Sequence, residues 1–181
     1  MQDALLFLFR TVADLYLLTL LLRFVMQWAR ANYYNPLAQF IVKVTNPLVV
    51  PARRVLPSVA GLDIPTLVVL FLLECGVTFL LIRLSGFYAP LAQVLFFSVL
   101  RLISLTLWFY TVALFIYVLL SWFADRGVNP MGALLGQLVE PLLRPVRRVL
   151  PPIAGFDLSP MLVILLLQAA AIALPLPAQL R

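Results

Sequence analysis

The sequence predicts an all-α integral membrane protein. It has about four transmembrane helices, arranged as two parallel-repeat helical hairpins. Each hairpin carries a proline-kinked amphipathic cytoplasmic segment. Three observations lead there. Of 181 residues, 64% are hydrophobic and only 11% are charged, against roughly 25% charged in an ordinary soluble domain. Long apolar runs recur along the chain. A basic, proline-broken segment occurs twice, as "NPLVVPARRVLPSVAGLD" at 46–63 and "EPLLRPVRRVLPPIAGFD" at 140–157.

The first expected span covers residues 4–28, "ALLFLFRTVADLYLLTLLLRFVMQW". Arg10, Asp14 and Arg23 interrupt it and no small-x-small cleavage site follows, so it reads as a retained helix and not a signal peptide. The second covers 64–83 and the third lies within 91–123. The fourth covers 158–174, which is short and stops before Pro175 and Pro177. A span needs roughly 20 apolar residues. The third run would be roughly 50 Å as one helix. It therefore tilts strongly, or residues 88–100 form a separate interfacial helix.

Basic residues set the expected topology. Residues 29–63 hold Arg30, Lys43, Arg53 and Arg54, and residues 124–157 hold Arg126, Arg144, Arg147 and Arg148. The connection at 84–90 has no Lys or Arg. The positive-inside rule then puts both long loops in the cytoplasm and both termini outside. In a soluble chain the net charge of +6 would raise nucleic acid as a partner. Here the charge is loop-confined and no nucleic-acid contact is inferred.

Sliding the chain by 94 residues aligns Trp28 with Trp122, Asn35-Pro36 with Asn129-Pro130, Arg53-Arg54 with Arg147-Arg148, Gly61 with Gly155 and Asp63 with Asp157. One residue is inserted after the second aspartate, so Pro65 matches Pro160. The expected units are 1–87 and 88–181. Two spans per unit send both copies into the membrane in the same direction, which makes them parallel repeats.

Between the spans of each unit a short interfacial helix is expected. Leu37, Phe40, Ile41 and Val44 fall at i, i+3, i+4, i+7, as do Met131, Leu134, Leu135 and Leu138. Asn35 and Asn129 are placed to cap these helices, each with a proline at the first helical position. Pro47 and Pro141 are expected to end them, leaving the RRxLP segment as a kinked turn.

Arg53, Arg54, Arg147 and Arg148 are the candidate binding residues. An arginine fork suits lipid phosphate or an acidic partner surface. The plainer reading is that they only set topology. Asp63 and Asp157 read as helix caps or salt-bridge partners of those arginines. No nucleophile or base accompanies them, so no catalytic role is expected and the protein is read as no enzyme. Within the membrane, Arg10 and Asp14 can face each other at i, i+4, and Arg23 can snorkel to the cytoplasmic end. Glu74 falls mid-span, with Gln168 at or beside the matching place and Arg101 a candidate partner. Helix–helix hydrogen bonding is the plain reading of Glu74. An ion or proton site is the sharper one. The chain has no histidine and one cysteine, Cys75, in an apolar run, so no metal or cofactor is expected.

The duplicated unit, "YNPLAQFIVKVTNPLVVPARRVLP" and "ADRGVNPMGALLGQLVEPLLRPVRRVLPPIAGFDLSPML", closely resembles the YggT family of bacterial membrane proteins, also called YlmG. The resemblance covers nearly the whole chain. Members are similar to plastid relatives implicated in cytochrome b6 haem maturation and nucleoid organisation. Bacterial members have been linked to osmotic or ionic stress tolerance, and in some lineages sit with cell-division genes. The resemblance implies a multi-pass protein of the bacterial inner membrane rather than a reaction. The absence of histidine argues against haem ligation through the usual axial residue. The leading expectation is a scaffold or assembly factor that contacts anionic phospholipid and a membrane-protein partner or a second copy. The alternative is a small channel or transporter component with a site at the repeat interface.

Overall fold

The computed structural model describes residues 2–58, 61–86, 88–123, 130–150, 157–177 and Leu180. Six α-helices are present among them: α1 (Gln2–Trp28), α2 (Pro36–Val55), α3 (Ile64–Leu84), α4 (Leu91–Phe123), α5 (Pro130–Val149) and α6 (Ser159–Ala173). Three stretches, Ala4–Trp28, Ile64–Leu84 and Leu91–Ser121, are long and apolar enough to cross a membrane, while α6 is a shorter apolar helix of 15 residues. The 33 residues of α4 form one unbroken helix, so 88–100 does not make a separate helix at the surface.

α1 packs on α3, α4 on α6, and α3 on α4. α2 lies against α1 and α3, α5 lies against α4 and α6, and α2 touches α5. The main core forms where Leu17 and Leu20 of α1 meet Leu70, Leu114, Leu138 and Val49 of the other helices. A second cluster joins Leu81 and Ile82 at the end of α3, Val94 and Leu100 at the start of α4, and Leu176 and Leu180 of the C-terminal segment. α2 and α5 therefore sit at one end of the bundle. The start of α1, the α3–α4 connection and the C-terminal segment sit at the other.

α2 starts as its sequence dictates. The Asn35 side chain accepts from the Leu37 N–H at 2.9 Å, with Pro36 at the first helical position. Its end differs from expectation. The helix runs through Pro47 and Pro51 to Val55, and α5 runs likewise through Pro141 and Pro145 to Val149. A proline removes one N–H and crowds the carbonyl four residues earlier. Pro47 and Pro51, four apart, share one outward face of α2 and both are exposed, so the crowding falls away from the packed side. The stop comes at Pro57. Leu56 before it is extended at φ −112° and ψ 119°, as a residue preceding proline prefers, and its N–H closes the last turn on Ala52 at 2.9 Å.

The buried face of α2 is rotated from the expected stripe, whereas α5 buries Leu134, Leu135 and Leu138 of its own. α2 buries Ala38, Ile41, Thr45 and Val49, whereas Leu37 and Phe40 are exposed. α5 buries Leu134, Leu135, Leu138, Val139 and Leu143, and leaves Met131 exposed. An apolar side chain on a helix can face its protein neighbours or point outward, so apolar periodicity alone does not say which side each residue takes. The Asn129 cap, Arg126 and the second-copy turn with Pro151 and Gly155 lie outside the described residues.

Candidate functional site

Two charge clusters organise the molecule. The first joins the end of α2 to the start of α3. Gly61 takes φ +79°, a conformation glycine adopts freely, and turns the chain back toward α3. Asp63 then occupies the N-cap of α3, and its side chain accepts from the Thr66 N–H. Its Oδ2 accepts from Arg53 Nη2 at 2.6 Å and from the Thr66 hydroxyl at 2.6 Å. The Asp63 side chain is fully buried. Burial pushes its carboxyl up, but the hydrogen bonds from Arg53 and Thr66 outweigh this and hold it below the usual carboxylate range.

Arg23 approaches the same carboxylate at 3.9 Å. It does not snorkel: it is 5% exposed, and donates to Thr45 Oγ1 at 2.7 Å, Asn46 Oδ1 at 3.0 Å and the Val42 carbonyl at 3.3 Å. The polar face of α2 offers an arginine more acceptors than a route past the helix would.

The corresponding residues of the second copy make the corresponding bond. Arg147 Nε donates to Asp157 Oδ2 at 2.8 Å, and its Nη1 donates to Glu140 Oε2 at 2.8 Å. Burial lowers the Arg147 pKa, but hydrogen bonds with Asp157 and Tyr117 reverse that and raise it. Asp157 accepts from the Ser159 N–H at 2.9 Å. It stands one residue outside the N-cap of α6, which is Leu158. The residue inserted after Asp157 moves the carboxylate off the cap position it was expected to hold. Burial pushes the Asp157 carboxyl up, and bonds from Ser159 and Arg147 bring it below the ordinary value.

The paired arginines thus divide. Arg53 and Arg147 are held by carboxylates. Arg54 and Arg148 are exposed and form no ion pair among the described residues. Val55 and Val149 beside them are 81% and 85% exposed. Lys43 and Arg144 are exposed on the same two helices.

The second cluster lies within the bundle. Arg101 of α4 donates through Nη1 to Glu74 of α3 at 2.8 Å, and through Nη2 to Asp14 of α1 at 2.6 Å. The Thr78 hydroxyl donates to Glu74 at 2.8 Å. Arg10 Nε lies 3.5 Å from Asp14 Oδ2. Glu74 is 1% exposed and Arg101 6%. The four groups alternate in charge and sum to zero, which is how a low-dielectric interior tolerates them. Every buried side-chain polar atom among the described residues has a partner. A cleft of about 350 Å³ opens beside this cluster between α1 and α4, with Arg10, Asp14, Glu74 and Arg101 on its wall.

Gln168 is exposed on α6 and joins neither cluster. Sequence reasoning missed the reach of Asp14 across to Arg101, because their 87-residue separation gives no local signal. It also missed Arg83, whose guanidinium stacks 5.1 Å from the Phe79 ring and 5.2 Å from the Tyr88 ring at the end of α3. Cys75 is a half-buried free thiol. Among the described residues no group of His, Cys, Asp and Glu side chains gathers to hold a metal ion.

Comparison with known proteins adds a family. The CCB3/YggT family model matches residues 2–84 and 96–177. The chain is 41% identical over 170 residues to an uncharacterised protein of Pseudomonas aeruginosa, covering 93% of this chain and 86% of that one. It is 39% identical over 166 residues to the uncharacterised protein YggT of Escherichia coli K12, covering 92% and 86%. It is 39% identical over 171 residues to an uncharacterised protein from the proC 3' region of Vibrio alginolyticus, covering 91% and 89%. No solved structure matches. On the family model and these relatives alike, the chain belongs to the CCB3/YggT family.

Proposed function

We propose that the protein is a non-enzymatic scaffold or assembly factor of the bacterial inner membrane. In this reading α1, α3, α4 and α6 span the bilayer as two parallel hairpins, with both termini extracytoplasmic. α2 and α5 lie along the cytoplasmic surface. Arg54 and Arg148, helped by Lys43 and Arg144, engage anionic headgroups, and the exposed apolar faces meet lipid and a membrane-protein partner or a second copy. The link to osmotic or ionic stress tolerance rests on the family resemblance alone.

One observation carries the reading. At corresponding places in both halves, an exposed arginine with no carboxylate partner among the described residues adjoins an exposed valine, Arg54-Val55 and Arg148-Val149. A basic group next to an apolar one at a helix end suits a charged bilayer surface, where each Lys or Arg contributes about 1 kcal/mol. Single cysteines at positions 55 and 149 in a Cys75→Ala background test it. They should label only from the cytoplasmic side, and should sink deeper when anionic lipid is added to a zwitterionic bilayer. Labelling from outside, or a depth indifferent to anionic lipid, would contradict the reading.

A second reading is favoured by Glu74, a carboxylate at 1% exposure beside a cleft of about 350 Å³. There the protein is a component of a channel or transporter with an ion or proton site where α3 meets α4. Proton flux in proteoliposomes that Glu74→Gln abolishes would support it. Flux absent from the wild-type protein would exclude it.

A further inference from the structure

The cleft between α1 and α4 is built from two kinds of wall. Arg10 and Asp14 line one part, and Leu15, Leu18, Leu105 and Trp108 line another. The carboxylates near it are already committed. Arg101 binds both Glu74 and Asp14 at hydrogen-bond distance. Arg10 is the exception. Its Nε stands 3.5 Å from Asp14, and its side chain makes no hydrogen bond among the described residues. Asp14 fixes the near edge of the guanidinium, and the two terminal nitrogens remain as a fork with no acceptor among the described residues. Such a fork matches two oxygens of one phosphate.

Depth identifies which phosphate can reach it. α1 has 27 residues, about 40 Å at 1.5 Å per residue. A hydrocarbon layer of about 30 Å leaves roughly 5 Å of helix beyond each boundary. The Arg10 backbone then lies about 7 Å below the boundary nearest the start of α1. Side chains on a helix lean toward its N-terminus, so the guanidinium is carried back toward the headgroups. The apolar wall begins at Leu15, about 7 Å deeper along α1, where an acyl chain would lie.

We propose that this cleft is a phospholipid site. Arg10 takes the phosphodiester and an acyl chain follows Leu15, Leu18, Leu105 and Trp108. The site belongs to the leaflet at the start of α1, opposite the surface proposed for Arg54 and Arg148, and it rests on α1 spanning the bilayer. Among the described residues, no other charge lining the cleft is free to read the headgroup beyond the phosphate. The site therefore selects for a phosphodiester and not for net negative charge.

Trp108 is 54% exposed and lines the cleft, so its fluorescence reports the occupant. The experiment uses full-length protein with Trp28→Phe and Trp122→Phe, reconstituted with either a brominated phospholipid or brominated diacylglycerol, which has no phosphate. Brominated phosphatidylethanolamine and phosphatidylglycerol should quench Trp108 equally, each with about tenfold higher relative affinity than diacylglycerol, the factor expected for one well-formed ion pair. Arg10→Leu should remove the preference and Arg10→Lys should retain part of it. Leu105→Phe, which narrows the apolar wall and leaves the arginine, should weaken quenching by both phospholipids and serves if Arg10→Leu fails to insert. Quenching that follows bulk mole fraction in the wild type overturns the proposal, because the cleft then holds a protein segment or nothing selective. A preference for phosphatidylglycerol over phosphatidylethanolamine also overturns it. Loss of anionic-lipid response at positions 55 and 149 with this preference intact would reject only the surface reading.

Discussion

Arg53 Nη2 lies 2.6 Å from Asp63 Oδ2, and this contact ties the last turn of α2 to the first turn of α3. It explains the sequence pattern that occurs twice. An arginine near the helix end, a proline to stop the helix, a glycine to turn the chain and an aspartate ten residues after the arginine make one closed corner. Arg147 and Asp157 close the second corner at 2.8 Å.

The two corners should differ in strength. The Asp63 side chain is fully buried, while the Asp157 side chain is 29% exposed. Removing the buried Asp63 carboxylate takes away its hydrogen bonds from Arg53 and from the N–H and hydroxyl of Thr66, and a hydrogen bond to a charged group contributes about 1.5–3 kcal/mol. Exposed pairs contribute about 0–1 kcal/mol. Asp63→Ala should therefore lower the midpoint of thermal unfolding in detergent far more than Asp157→Ala. Equal losses would show that the corners are equivalent and that burial at Asp63 does not matter.

Acid should act through the same residue. Asp63 has a folded-state pKa below its ordinary 3.8. A depressed carboxylate contributes stability that is complete above the unfolded pKa and is lost as pH falls through the folded one. The wild-type protein should hold its stability from neutrality to about pH 5 and lose it below about pH 4. Asp63→Asn keeps a capping side chain but not the charge. It should be less stable at neutral pH, and the gap to wild type should close on acidification. A gap that is constant with pH would contradict the assignment.

Glu74 and Arg101 should be strongly coupled. Arg101→Leu strands the buried Glu74 and leaves Asp14 with Arg10 alone, whereas Glu74→Leu leaves Arg101 still bound to Asp14. The arginine variant should be the more damaging, and Glu74→Leu with Arg101→Leu should recover part of the loss. A double-mutant cycle on thermal unfolding, after insertion is verified, should give a coupling of about 1–3 kcal/mol. Additive losses would mean the pair does not form.

α2 should remain helical beyond Pro47. Single spin labels at positions 42 to 55 in a Cys75→Ala background should show accessibility that repeats every 3.6 residues through Val55. Loss of the period at Pro47 would mean that the helix ends there.

Much of this architecture was legible in the sequence. Mean apolarity and run length located α1, α3, α4 and α6, and Asn35-Pro36 marked the start of α2 because both the cap and the first-turn proline are local chemistry. Arg10 and Asp14 lie one turn apart, so their proximity was readable as well. Other features depend on packing. Pro47 and Pro51 normally stop a helix, and only tertiary contacts along Ala38, Ile41, Thr45 and Val49 carry α2 past them. Arg53 and Arg54 are indistinguishable in the motif, since which of them meets Asp63 depends on the angle between α2 and α3. Arg23 reads as a snorkelling residue until Thr45 and Asn46 are seen to lie within its reach.

The central claim is that the duplicated arginines have separate roles, the first of each pair closing the corner and the second facing an anionic membrane. The most direct test is lipid analysis of protein purified in mild detergent, comparing Arg54→Ala/Arg148→Ala with Arg53→Ala/Arg147→Ala, both shown to insert. The account predicts that the first variant keeps wild-type thermal stability but loses its enrichment in anionic phospholipid. The second should lose stability and keep the enrichment. If the Arg54→Ala/Arg148→Ala protein retains anionic lipid at the wild-type level, the division of roles is wrong.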